Sequence, residues 1–102
     1  MKLFKSIDEK LNEIGFTKVA DNKYGAEYER YNEAYGYTQC VDLLHKLSGR
    51  HIIQSYDKEL FDEKKIGNTC VGLTYYEMKL FLKKMRKIGL KSKTTLKYFR
   101  NE

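Results

Sequence analysis

The segment Tyr37–Asp57 most constrains the fold of this chain. It consists of two runs of β-forming residues joined by a short break that contains a glycine. Their β-branched and aromatic residues fit a half-buried pleated surface, and Gly49 can adopt the positive φ of a tight turn. A type I turn ending in a glycine bulge places His45 opposite His51. A two-residue loop would shift the register by one residue and pair His45 with Ile52. The segment therefore predicts a β-hairpin with two alternative registers.

The first of these registers also predicts which side of the sheet is buried. Residues two apart on a strand share a face, so Val41, Leu43 and Ile53 lie together. We take that face as the core side. Upstream, Phe16–Ala20 and Tyr24–Tyr31 are strand-like as well, which raises the expected sheet to three or four strands.

Apolar residues at three- and four-residue steps predict a helix at the start of the chain, over Lys2–Ile14. Ser6 followed by Glu9 has the pattern of a capping box, which would start this helix later than Lys2. Gly15 stands where a helix-ending glycine is expected. The simplest interpretation is a helix that covers one face of the sheet.

A second helix is predicted near the end of the chain. Thr74 and Glu77 form a capping box, and Gly89 is expected to stop the helix. The predicted apolar stripe is Met78, Phe81, Leu82, Met85 and Ile88. The predicted solvated side is Lys79, Lys83, Lys84, Arg86 and Lys87. For residues 91–102 the sequence allows three alternatives: a flexible basic tail, a strand or a short helix.

These elements predict a single α+β domain over residues 1–102. We expect a two-layer arrangement in α-β-β-β-α order, with an antiparallel meander of three to four strands and both terminal helices on one face. No apolar run reaches the length of a membrane span, and the N-terminus lacks a secretion signal. We therefore expect a cytoplasmic protein with reduced cysteines and no membrane contact.

Positive charge is concentrated at the end of the chain, where residues 78–102 contain nine lysines and arginines against one acid. Such a cluster can neutralise phosphates, contact an acidic protein surface, or simply remain solvated. The candidate contact residues for nucleic acid or an acidic partner are Lys83, Lys84, Arg86, Lys87, Lys91 and Lys93.

Tyrosines are concentrated between residues 24 and 37, which contain five of the nine in the chain. Tyrosine rings are common in binding hot spots, although they also pack on sheets with their hydroxyls in water. The candidate contacts to a protein partner are Tyr24, Tyr28, Tyr31 and Tyr35. An uncovered sheet face lined by Tyr24, Tyr28 or Tyr56 would indicate a homodimer or partner surface.

Few residues indicate catalysis or a bound ion. His45 and His51 could supply two metal ligands across the hairpin, but a zinc site needs three or four. Cys40 lies five residues before His45, so the two side chains point to opposite faces of one strand. A small enzyme depending on a metal or a thiol such as Cys70 is the least favoured alternative. We expect no enzyme activity, cofactor, metal or small-molecule substrate.

The α-β-β-β-α order is similar to the double-stranded-RNA-binding domain, a family whose second helix begins with phosphate-binding lysines. Here the helix begins Tyr75-Tyr76-Glu77 and the lysines follow, so the similarity is limited to topology. A helix ending Ile-Gly-Phe and the closing LTYYEMKLFLKKMRKIG resemble small uncharacterised phage and mobile-element proteins of low-GC Gram-positive bacteria. That resemblance implies a small accessory or inhibitory protein that acts by binding.

The sequence thus favours a non-enzymatic binding or accessory protein with a protein or nucleoprotein partner. A nucleic-acid-binding module that uses the basic C-terminal helix and tail is the alternative. Neither interpretation identifies the partner.

Overall fold

The computed structural model describes residues 4–62 and 69–100, with residues 62 and 91–100 as backbone only. In chain order the elements are α1 (Ile7–Glu13), β1 (Thr17–Asn22), β2 (Gly25–Asn32), β3 (Tyr37–Leu44), β4 (Ile52–Asp57), α2 (Lys58–Asp62) and α3 (Tyr75–Arg100). The strands form one antiparallel sheet in the order β1-β2-β3-β4, which confirms the predicted α+β meander. Within the described residues, no helix combines the length and apolar content that crossing a bilayer requires.

The hairpin formed by β3 and β4 has the first of the two predicted registers. Leu43 pairs with Ile53. In the same register, His45 lies opposite His51 beside the loop, where their rings are in contact. The Gly49 N–H donates to the Lys46 carbonyl at 3.0 Å. Gly49 has φ +83°, the left-handed conformation that a turn followed by a glycine bulge requires.

One face of the sheet packs against α1 and α3 and forms the core. Tyr28 and Val41 are fully buried there, together with Leu11 from α1 and Phe81 from α3. The Phe81 ring lies edge-on to Phe16 at 5.2 Å and to Tyr28 at 5.5 Å. Edge-to-face pairs of this kind add about 0.5–1.5 kcal/mol beyond the burial of their area.

Helix α1 is shorter than its apolar pattern indicated. It begins after Ser6, whose hydroxyl accepts the Glu9 N–H at 3.1 Å, so the later start is confirmed. Phe4 precedes the helix and is exposed. Gly15, with φ +100°, ends α1 as predicted. The N–H groups of Gly15 and Phe16 both donate back to α1 carbonyls, which satisfies the end of the helix.

Helix α3 starts as predicted but does not stop at Gly89. The Thr74 hydroxyl accepts the Glu77 N–H at 3.1 Å, and the Glu77 carboxylate accepts the Thr74 N–H at 2.8 Å. The prediction that Gly89 ends the helix is wrong, because α3 continues to Arg100. A glycine inside a helix costs only about 1 kcal/mol relative to alanine, and two good helix formers, Leu90 and Lys91, follow it directly. The helix passes close to the hairpin here, since a Cβ at position 89 would lie 3.2 Å from His45 Nε2.

The two edges of the sheet differ in how they end. On the β1 side, the pairing with β2 shifts between Lys18 and Ala20, which is a β-bulge. On the β4 side, residues 69–71 run alongside, and the Val71 N–H donates to the Ser55 carbonyl at 2.9 Å. Cys70 forms an isolated antiparallel bridge to Tyr56 of β4.

Candidate partner-binding face

The inner side of α3 is held to the sheet by an arginine–glutamate pair. Arg30 Nη1 lies 2.7 Å from Glu77 Oε2, and Arg30 Nη2 donates to the Gln39 side chain at 2.9 Å. The guanidinium also stacks over the Phe16 ring at 4.1 Å. Burial alone would raise the pKa of Glu77. The hydrogen bonds from the Thr74 backbone and Arg30 outweigh it, so this pKa lies below its usual range.

Lys84, which the sequence placed on the solvated side of the helix, is turned inward instead. Only 7% of it is exposed, and its Nζ lies 2.7 Å from Asp21 Oδ2 and 3.3 Å from Asp8 Oδ2. Lys18 Nζ is 3.1 Å from the same Asp8 carboxylate, and the Tyr28 hydroxyl donates to it at 2.5 Å. The long lysine stem packs among apolar neighbours while two carboxylates neutralise its charge.

The contacts with Lys84 and Lys18 also change the pKa values of Asp8 and Asp21. Burial alone would raise the pKa of Asp8 and of Asp21. Hydrogen bonds and the nearby ammonium groups outweigh burial, so both pKa values lie below the usual range. Lys84 is therefore occupied inside the molecule and is not available to a partner.

The opposite side of α3, which we call the outer face, carries four exposed basic side chains. They are Lys79, Lys83 and Arg86, together with Lys87 at the edge, where it lines a cavity that Asp8, Asp21 and Lys84 also line. None of the four forms an ion pair with an acid in the part of the chain that the structure describes. Lys79 instead lies over the Tyr75 ring at 5.4 Å. The side chains of Lys91 and Lys93 lie outside the described residues.

Apolar side chains alternate with these charges on the outer face. Leu82, expected on the buried stripe, is 52% exposed, whereas Leu80 is buried. The side of α3 that faces the core includes Glu77 and Lys84. These two polar residues can be buried there because each pairs with a side chain of opposite charge. Leu90 is also exposed, so the two leucines lie eight residues apart on the same face.

These leucines border a cavity that we call the hairpin groove, between α3 and the end of the β3–β4 hairpin. Its volume is about 330 Å³. Its lining residues are His45, His51, Leu82, Met85, Arg86, Gly89 and Leu90. No acid lines it. Because Gly89 has no side chain, α3 passes close to His45 at this part of the groove.

The two histidines form one wall of the groove. Their rings stack with centroids 4.0 Å apart and planes at 17°, and His51 Nδ1 accepts the Lys46 N–H at 3.1 Å. Burial and the neighbouring His51 both lower the pKa of His45, which favours the neutral imidazole. In the described part of the chain, no group of three closely spaced potential metal ligands includes either histidine.

The structure does not bring the predicted tyrosine contacts together. Tyr28 is fully buried beneath the helices, so it cannot contact a partner. The exposed members are Tyr24, Tyr31 and Tyr35. Tyr24 and Tyr35 lie in turns at opposite ends of β2, and the Tyr56 ring packs against Phe61 of α2 at 4.8 Å. These side chains do not line one uncovered sheet face.

The sheet face opposite the helices instead carries a polar cluster. Ligand-type atoms of Glu27, Glu29 and Cys40 lie within 4.8 Å of one another. The Cys40 thiol donates to Glu27 at 3.6 Å, and Lys58 pairs with Glu29 at 2.7 Å. Burial, together with nearby carboxylates, raises the pKa of Cys40 to about 11. The thiol therefore stays protonated, and Lys58 neutralises Glu29 within the molecule.

A scan against protein-family models, a search of curated proteins and a search of solved structures each found no match to this chain. The functional interpretation therefore depends on the outer face and the hairpin groove. Sequence reasoning missed Leu82, Gly89 and Leu90 as surface residues. The available signal was the regular spacing of Leu82, Arg86 and Leu90, which places all three on one side of a continuous helix.

Proposed function

We propose that this protein is a small non-enzymatic binding module that docks the outer face of α3 on an acidic surface of a protein partner. The observation that carries this proposal is a row of exposed basic side chains that form no ion pair with an acid of the described residues. Lys79, Lys83 and Arg86 form the centre of this row, whereas Lys87 lies at its edge, in a cavity that Asp8 and Asp21 also line. Complementary charge of this kind steers association and selects the partner.

A protein surface fits the outer face better than a nucleic acid does. Contacts to a phosphate backbone come mainly from charged and hydrogen-bonding groups. Here Leu82 and Leu90 are exposed between the charges, and exposed apolar groups beside basic ones are typical of protein interfaces. Lys84, a member of the predicted phosphate-contacting set, is held by Asp21 and Asp8.

Charge reversal tests the proposal directly. The variant Lys83→Glu/Arg86→Glu should lose binding to a short synthetic peptide of Glu, Ser and Gly. The control Lys5→Glu/Lys23→Glu makes the same change in net charge away from Lys83 and Arg86 and should bind as the unaltered protein does.

Duplex DNA of random sequence provides the competing probe in the same titrations. Binding that favours DNA over the acidic peptide, and that weakens steeply with salt, would replace this proposal with the nucleic-acid alternative. Equal loss of peptide binding in both charge variants would show that net charge, not the outer face, is responsible.

A further inference from the structure

We infer that the hairpin groove receives an apolar side chain of the acidic partner, inserted between the stacked histidines and the two exposed leucines of α3. This inference rests on the proposed function and names the chemistry of the partner: an acidic segment with an apolar anchor. The groove volume of about 330 Å³ is at the low end of the range for ligand pockets, which suits one inserted side chain.

The lining of the groove is mainly apolar and is built from two separate elements. Leu82 and Leu90 come from α3 and are 52% and 60% exposed. His45 and His51 come from the hairpin, and their flat stacked rings present a wall to the cavity. An apolar group that enters this space buries surface on both sides, which is the usual arrangement of an interface anchor.

Gly89 sets how closely the helix approaches the histidine wall. A Cβ there would lie 3.2 Å from His45 Nε2, so glycine allows α3 to pass directly beside the imidazole and join the two walls of the groove.

The charges around the groove select an acidic partner. Arg86 lines the cavity itself, and Lys83 lies on the adjacent outer face. In the loop of the hairpin, Lys46 and Arg50 are also exposed, and neither forms an ion pair within the described residues. Basic side chains thus flank the apolar cavity from both elements, and carboxylates beside the anchor would face them.

Two synthetic peptides test the inference. Both consist of Glu, Ser and Gly, and they differ only in one central residue, which is Leu in one and Ser in the other. Fluorescence anisotropy at low salt should show the Leu peptide binding at least about tenfold more tightly, as expected for burying one such side chain.

Two variants localise that difference. In Leu82→Ser/Leu90→Ser the two peptides should bind equally, because the apolar wall is lost while every charge remains. In Val19→Ser/Tyr35→Ser, which removes exposed apolar side chains elsewhere, the difference should persist.

The outcomes separate this inference from the proposed function. Equal binding of both peptides to the unaltered protein overturns the groove while leaving acid recognition intact. A tenfold difference that survives in Leu82→Ser/Leu90→Ser also overturns it, because the anchor then binds elsewhere. If neither peptide binds, both the groove and the proposed function are overturned.

Discussion

Arg30 on β2 and Glu77 in the first turn of α3 form an ion pair at 2.7 Å that joins the sheet to the start of the longest helix. Glu77 also caps that helix by accepting the Thr74 N–H. Glu77→Gln keeps an oxygen for the cap but removes the charge, and we expect it to lower the free energy of unfolding by about 1–2 kcal/mol. Urea titration measures this change. Glu33→Gln, an exposed control, should stay within about 0.5 kcal/mol of the unaltered protein, and equal effects would contradict the assignment.

Lys84 should contribute far more to stability than its neighbour Lys83. Lys84→Met leaves Asp8 and Asp21 without one of their two ammonium partners, at a site where both are partly buried. We expect a loss of about 1–3 kcal/mol, less than for a fully buried pair because Lys18 remains. Lys83→Met should change stability by no more than about 0.5 kcal/mol. Similar values for the two variants would contradict the inward placement of Lys84.

The histidine wall should make stability depend on pH. The pKa of His45 is lowered below its ordinary value of 6.5, so the unfolded chain binds this proton more readily than the folded one does. The resulting stability is present above about pH 6.5 and is lost as the pH falls from there through the folded pKa. We expect a lower unfolding temperature near pH 5.5 than near pH 7.5, with a smaller difference in His45→Asn. An unchanged difference in that variant would assign the effect to other groups.

Gly89 and His45 should be energetically coupled. Gly89→Ala removes the cost of glycine in a helix, about 1 kcal/mol, but its Cβ would meet His45 Nε2 at 3.2 Å. The substitution should therefore stabilise the protein more in a His45→Ala background than in the unaltered chain. A double-mutant cycle measures the coupling, for which we expect about 0.5–1 kcal/mol. Additive effects would show that the imidazole moves away freely.

The two cysteines should differ in reactivity. Cys40 is buried and its pKa is raised to about 11, whereas Cys70 is exposed. Only the thiolate reacts with disulfide reagents, so the native protein should show one fast thiol near pH 8 and the second only after unfolding. Cys70→Ser should remove the fast phase. A fast phase that remains in this variant would contradict the burial of Cys40.

The hairpin and both helix starts could be predicted from the sequence because their signals are local. Gly49 lies within the turn that it shapes, and the Thr74–Glu77 capping box spans four consecutive residues. The α+β order followed from these elements and from the short connections between them.

The orientation of α3 could not be predicted in the same way. Lys84 is buried because it meets Asp21 and Asp8, which are 63 and 76 residues away along the chain. Judged by residue type alone, Lys84 is expected in solvent and Leu82 in the core. The structure has the opposite arrangement. Gly89 has the same ambiguity, because a glycine ends a helix only where the backbone adopts a left-handed conformation.

The unequal edges of the sheet bear on whether another strand can pair with it. An open strand edge is a template for another chain, and native sheets protect it with bulges, charges or a covering segment. Residues 69–71 cover the β4 side, while the bulge between Lys18 and Ala20 interrupts the β1 side. Strand-to-strand growth into fibrils is therefore disfavoured at both margins of the sheet.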